Sequence, residues 1–103
     1  MSSPIDTIRD VLPDRAQFMT GQAVIGTSVV QLVAANPELF TGVLLRADLT
    51  NAGIIYVGFS DGVSTTTGYP LEAGDQLPIP IDRIKKLWFV ASQITQNLAW
   101  FAA

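Results

Sequence analysis

Between Val43 and Ala102 the chain breaks repeatedly into apolar segments of strand length, separated by compact turns of Gly, Asp, Asn and Pro. The segments are Val43-Leu44-Leu45-Arg46-Ala47, Ile54-Ile55-Tyr56-Val57-Gly58, Gln76-Leu77-Pro78-Ile79-Pro80-Ile81, Leu87-Trp88-Phe89-Val90-Ala91 and Leu98-Ala99-Trp100-Phe101. Runs this short leave no room for a long amphipathic helix, and turns recurring every roughly 8–12 residues are the signature of a sandwich or barrel. The pattern predicts an all-β chain: a single jelly-roll or β-sandwich domain of about eight short antiparallel strands over residues 21–103, behind an N-terminal arm of residues 1–20.

Local signals suggest how the strands connect. Val24-Ile25, a Gly26-Thr27 corner and Val29-Val30-Gln31-Leu32-Val33 read as a first hairpin, and Asn36-Pro37 marks a turn, because the residue before Pro avoids helical geometry. Asp61-Gly62 is a type I′ hairpin signal, and Ser64-Thr65-Thr66-Thr67 after it reads as an exposed strand. Gly68-Tyr69-Pro70 and Glu72-Ala73-Gly74-Asp75 make a two-part corner. In Gln76 to Ile81, Leu77, Ile79 and Ile81 share one face while Pro78 and Pro80 share the other. Two prolines cannot serve a normal ladder, so this is expected to be an edge strand protected against stray pairing.

Leu87 to Ala91 and Leu98 to Phe101 read as a C-terminal hairpin. Neighbouring residues of a strand point to opposite faces, so one of Trp88 and Phe89 faces outward, as does one of Trp100 and Phe101. Sequence does not say which, and Trp88, Phe89, Trp100 and Phe101 are together the candidate subunit interface. An apolar outer face needs a cover, from the arm, another subunit or a partner.

The arm has the grammar of a short helix. Ser3 is a candidate N-cap, Pro4 suits the first helical position and Asp6 lies three residues after the cap. Ile5, Ile8, Val11 and Leu12 fall at helical spacing until Pro13 stops the pattern. Two turns are marginal alone, so the stripe is expected to order only when it docks, on its own sandwich or on a neighbour.

With 103 residues the chain has material for one core. Hydrophobic residues make up 49% and charged ones only 15%, below the roughly 25% usual for soluble domains, so some apolar surface is expected to meet another protein. A net charge of −3 repels a phosphate backbone, and the basic run Arg83-Ile84-Lys85-Lys86 reads as a solvated connector; no nucleic-acid partner is expected. The start lacks the basic and apolar regions of a signal peptide, and no apolar run approaches the roughly 18 residues of a membrane span, so neither Sec export nor membrane insertion is expected.

Catalytic chemistry finds little to work with. The chain contains no histidine and no cysteine, which removes Ser-His-Asp and Cys-His arrangements, disulfides and thiolate metal sites. Glu72 and Asp75 flank a turn without an apolar setting to tune them. Asp48, Asp61, Glu72 and Asp75 lack the Asp-x-Asp-x-Asp-Gly spacing of a calcium loop, and the glycines form no phosphate-binding motif. Tyr56, Tyr69, Trp88 and Trp100 offer aromatic faces for a sugar ring, although aromatics on strands serve core and interface more often. No enzymatic activity, cofactor or metal is expected.

The segments Val43-Leu44-Leu45-Arg46-Ala47-Asp48, Asn51-Ala52-Gly53-Ile54-Ile55-Tyr56-Val57-Gly58, Thr67-Gly68-Tyr69-Pro70-Leu71-Glu72-Ala73-Gly74-Asp75 and Ile84-Lys85-Lys86-Leu87-Trp88-Phe89-Val90-Ala91, with a closing aromatic strand, resemble small virion proteins of tailed bacteriophages. The resemblance covers about residues 22 to 102 and implies a compact β-sandwich or jelly roll on the phage particle. It points to a head decoration, or cement, protein that binds the major capsid protein as a small homo-oligomer, with a trimer favoured. The alternative is a head-fibre or tail adhesin module that binds a host surface polysaccharide. On the first reading Ile5, Ile8, Val11, Leu12 and Phe18 of the arm are the candidate capsid contacts, and the protein resides on the virion after synthesis in the host cytoplasm. The resemblance implies no catalytic residues.

Overall fold

The computed structural model describes residues 19–32 and 38–103. Among the described residues there are eight strands: β1 (Met19–Ile25), β2 (Val30–Gln31), β3 (Val43–Ala47), β4 (Ile55–Gly58), β5 (Tyr69–Leu71), β6 (Gln76–Ile79), β7 (Trp88–Ala91) and β8 (Gln96–Ala102). They form two four-stranded sheets, ordered β1-β8-β3-β6 and β2-β7-β4-β5, in which every pairing is antiparallel. The all-β expectation therefore holds. The strand β1 begins at Met19, inside the span assigned to the arm. Ile5, Ile8, Val11, Leu12 and Phe18, the Ser3-Pro4 helix start and the Asn36-Pro37 turn lie outside the described residues.

A simple rule underlies the pairing. β1 pairs β8, β2 pairs β7, β3 pairs β6 and β4 pairs β5, as if one long antiparallel ribbon with its tip at β4–β5 had been wound on itself. Two further ladders, β3–β8 and β4–β7, close the windings into sheets. Of the sequential neighbours only β4 and β5 share a ladder, so both expected hairpins are corrected. β1 and β2 lie in different sheets, and the Gly26-Thr27 corner carries the chain across, with Ala91 N–H donating to the Gly26 carbonyl at 2.8 Å. β7 and β8 are likewise in different sheets. The physical reason is the core. Ile25, Leu32, Phe89 and Leu98 are all essentially buried in one cluster between the layers, and crossing between sheets is what turns each of them inward.

Alternation is cleanest in β3, where Val43, Leu45 and Ala47 are buried and Leu44 and Arg46 exposed. Facing them from the other sheet are Ile55, Val57, Leu71, Phe89 and Ala91. The connections 26–29, 48–54, 72–75 and 92–95 gather at one end of the sandwich. The connections 59–68 and 80–87 and the C-terminus gather at the other, where Met19 also sits, opposite Ala102.

The Asp61-Gly62 signal does not make a two-residue hairpin, and Ser64 to Thr67 is a turn rather than a strand. Among the described residues positive φ is confined to Gly42, Gly74 and Thr95, so Gly62 lacks the geometry of a type I′ turn. Residues 59–68 instead fold back over the second sheet. Val63 sits against Gly58 and Gly68 so closely that a Cβ on either glycine would meet it at 2.8 Å. The turn is held by Ser64 N–H donating to Thr67 Oγ1 at 3.0 Å and Gly68 N–H to the Ser64 carbonyl at 2.9 Å.

At the opposite end the loops are pinned by Gln96, the buried polar residue of the described chain. Its Oε1 accepts from Gly53 N–H and its Nε2 donates to the Ile94 carbonyl, both at 2.8 Å. Asn51 and Asn97 add a reciprocal pair, Asn97 N–H to Asn51 Oδ1 at 2.8 Å and Asn51 Nδ2 to the Asn97 carbonyl at 2.9 Å.

Candidate interaction surface

Register places the outward residues of the first sheet in rows. Thr20, Phe101, Leu44 and Pro78 are consecutive cross-strand partners, and so are Gln22, Ala99, Arg46 and Gln76. One row is therefore largely apolar and the next polar. Leu44 is 40% exposed and Phe101 39%, with Phe40 exposed nearby in the chain segment entering β3. Around the apolar row lies an open hollow of about 520 Å³, lined by Leu44, Pro78, Ile79, Pro80 and Phe101 with small residues between them and no charged group.

The edge-strand expectation for Pro78 and Pro80 fits what is seen. β6 is the last strand of its sheet, Pro78 and Pro80 are exposed, and Leu77, Ile79 and Ile81 turn toward the core. The other edge of the sheet, β1, has neither proline nor charge. Below it, a second hollow of about 530 Å³ opens between the layers, lined by Met19, Ala23, Val30 and Trp100 among others.

The Trp-Phe pairs resolve by burial. Phe89 is 0% exposed and belongs to the core. Trp100 also turns inward: it is opposite Gly21 in register, and its ring lies so close that a Cβ there would meet Cζ2 at 2.7 Å. Phe89 therefore leaves the candidate subunit interface, while Trp100, half-buried, borders the hollow under β1. Trp88 and Phe101 are the outward members, and they lie on opposite sides of the sandwich. The aromatics do not assemble into one stacking platform: Trp100 faces the interior, Tyr56 and Trp88 are half-buried on the outer face of the second sheet, and Tyr69, 59% exposed, alternates away from Tyr56.

The charged groups are dispersed. Asp48, Glu72 and Asp75 are in connections at one end, Asp61 at the other, and among the described residues no three His, Cys, Asp or Glu side chains converge. Asp48 Oδ1 accepts from Thr50 N–H and from the Thr50 hydroxyl, each at 2.8 Å, and these bonds, helped by nearby Arg46, hold its carboxyl below its usual value. Asp82 is held low chiefly by its hydrogen bond from Lys86, with which it forms an exposed ion pair. The basic run is the β6–β7 connection: Ile84–Lys86 form one 3₁₀ turn whose Ile84 is fully buried, and the Lys85 carbonyl accepts from Gln31 Nε2. Asp48 is thus tied to the backbone and hydroxyl of Thr50, and Asp82 to Lys86.

Leu44 was not singled out from sequence. The signal was present, since Val43-Leu44-Leu45 in a strand must send one aliphatic outward by the same parity that separates Trp from Phe. The chain matches no protein-family model, no curated protein and no solved structure.

Proposed function

We propose that this protein is a structural binding module of a tailed-phage virion, a capsid decoration protein that clasps the assembled head as a small oligomer, with a trimer favoured. The observation that carries the reading is the apolar row Phe101-Leu44-Pro78 on an otherwise regular outer sheet face. A contiguous apolar patch ringed by polar residues is the mark of a protein contact. The dispersed charges support a binding role over a chemical one. The 1·8, 2·7, 3·6, 4·5 pairing over two antiparallel sheets is compatible with the jelly roll that the resemblance implies. A protein that binds only the finished lattice stabilises it by mass action, without chemistry of its own. The arm's stripe, Ile5, Ile8, Val11 and Leu12 with Phe18, supplies the capsid contact, and Trp88 and Phe101 supply contacts between copies.

Co-sedimentation with mature, undecorated phage heads tests this. Saturable binding that is lost when residues 1–18 are removed is the expected result. Cutting at residue 18 rather than 20 spares the β1 ladder, which starts at Met19. Failure to bind any head form overturns the reading; binding to a surface polysaccharide through exposed Tyr69 would replace it with the adhesin.

A further inference from the structure

We infer that the free protein pairs with a second copy of itself through the open edge of β1, antiparallel and two-fold about Gln22, so that the two first sheets join into one. Among the described residues four strands stand at sheet edges: β1, β6, β2 and β5. β6 carries Pro78 and is followed by Pro80, β5 is three residues long with Pro70 at its centre, and β2 has only two residues. β1 has seven residues, with no proline and no charged side chain. A long, uncharged edge is a template for another strand, and the usual protections against pairing are found on the other three edges.

The ladders fix which backbone groups of β1 face the open side. Gly42 and Ala103 exchange hydrogen bonds, each N–H donating to the other's carbonyl at 3.0 Å, and Asp48 N–H donates to the Asn97 carbonyl at 3.1 Å. Successive residues of an antiparallel strand turn their N–H and C=O to alternate neighbours. Along β8 the odd positions, 97 to 103, therefore turn toward β3 and the even ones toward β1. The even positions are opposite Met19, Gly21, Ala23 and Ile25. Thr20, Gln22 and Val24 are left with their N–H and C=O aimed away from β8, along the open edge.

Those three positions set both the partner and the register. They are symmetric about Gln22, so a second β1 laid antiparallel with Gln22 opposite Gln22 also places Thr20 opposite Val24 on both sides of the axis. All three outward residues are then used, in about six backbone hydrogen bonds, whereas a slip of two residues leaves about four. On the outer face Val24, 62% exposed, is covered by Thr20 of the second copy. On the inner face Met19 comes opposite Ile25 and Gly21 opposite Ala23, so the two hollows under β1 lie side by side beneath one continuous sheet. A two-fold contact sets each residue near its own copy, and with no charge on β1 this brings no repulsion. Pairing of β1 with any other edge of a second copy would meet the prolines of β6 and β5 or the two residues of β2. The pair concerns the free protein and differs in number from the trimer favoured on the head; mass in solution and binding to heads test the two separately.

Sedimentation equilibrium of the full chain is expected to show a monomer–dimer equilibrium that rises toward twice the 11.1 kDa chain mass. A one-chain mass at every concentration, or a three-chain mass, overturns the inference. Gln22→Pro removes the donor at the centre of the pair while leaving the β8 ladder its bonds, and with the fold checked by circular dichroism it is expected to weaken the dimer by roughly tenfold or more. An unchanged dimer overturns the inference. The absence of cysteine gives a second test, of register. Gln22→Cys is expected to oxidise to a cross-linked dimer on a non-reducing gel, since directly opposed residues stand about 5.5 Å apart at Cα, within disulfide reach. Thr20→Cys is not, because in this register Thr20 and its copy are offset by about 14 Å along the strands. Equal cross-linking of the two variants, or of neither, overturns the pairing about Gln22.

Discussion

Replacing Gly42 by Ala is expected to unfold a large part of the stability of this domain, for reasons that can be worked from two coordinates. Gly42 is buried and has φ +129°, a conformation that L side chains rarely adopt. A Cβ at this position would meet the Ile79 carbonyl oxygen at 2.2 Å and the Pro80 Cα at 2.9 Å. Neither is the end of a flexible side chain that can swing away. Gly42 is also tied on its other side, its N–H and carbonyl both bonded to Ala103 at 3.0 Å, so the backbone is clamped between β6 and the C-terminus. Left-handed strain on a non-glycine residue costs about 1–2 kcal/mol, and forcing extra volume into packed surroundings about 1–3 kcal/mol more. Together these give about 2–5 kcal/mol, offset by up to about 1 kcal/mol because Ala loses less backbone entropy than Gly on folding. For a domain of this size each kcal/mol lowers Tm by roughly 4–8 °C. Urea denaturation followed by tryptophan fluorescence reads the change, with an unaltered slope as the check that only stability has moved. Gly26→Ala is the control: a Cβ there meets nothing within 4 Å, and its stability is expected to stay within about 0.5 kcal/mol of the parent. A Gly42→Ala loss below about 1 kcal/mol would refute the steric reasoning.

Gln96→Ala removes the acceptor of the buried Gly53 N–H, and about 1–3 kcal/mol should be lost in the same urea assay. Thr95 is a β-branched residue at φ +61°, so Thr95→Asn, which tolerates that region, is expected to raise stability by about 0.5–1 kcal/mol, visible as a higher Tm. Asp48 is held below 3.8 in the folded chain, so its contribution is present above that value and fades as pH falls through the lower folded value. Asp48→Asn should therefore be less stable than the parent near neutral pH, and the gap should close on acidification. A gap that widens in acid would contradict the Thr50 bonds as its source.

Strands were legible in the chain because period two is a local property. Val43 to Ala47 reads as a strand in sequence and has the same bounds in the fold, with its alternate residues buried as the parity demands. The edge character of β6 was legible too, since Pro78 and Pro80 lack the donors that a central strand needs. Pairing was not. Val24-Ile25 with Val29 to Val33, and Leu87 to Ala91 with Leu98 to Phe101, look like hairpins because close neighbours usually pair, yet each couple is divided between the sheets. The Asp61-Gly62 signal failed for a related reason: Val63 finds a seat on Gly58 and Gly68, and this packing outweighs the local turn preference.

The surface divides in the same way. Composition said that apolar area must be left outside, and parity said that one residue of each Trp-Phe pair would supply it, but a slip of one position exchanges the two without changing the pattern. The ladder of β8 with β1 settles the matter by setting Trp100 over Gly21, and that of β7 with β4 by setting Phe89 beside Val57 in the core. Leu44 became visible only once β3 lay between β8 and β6 and joined Phe101 to Pro78 in one row. Local pattern and composition are enough to establish that this protein is built of short strands, carries no histidine or cysteine chemistry, and must leave apolar surface outside. Which strands are neighbours and which side chains share a face emerges only on folding, because both depend on contacts between residues far apart in the chain.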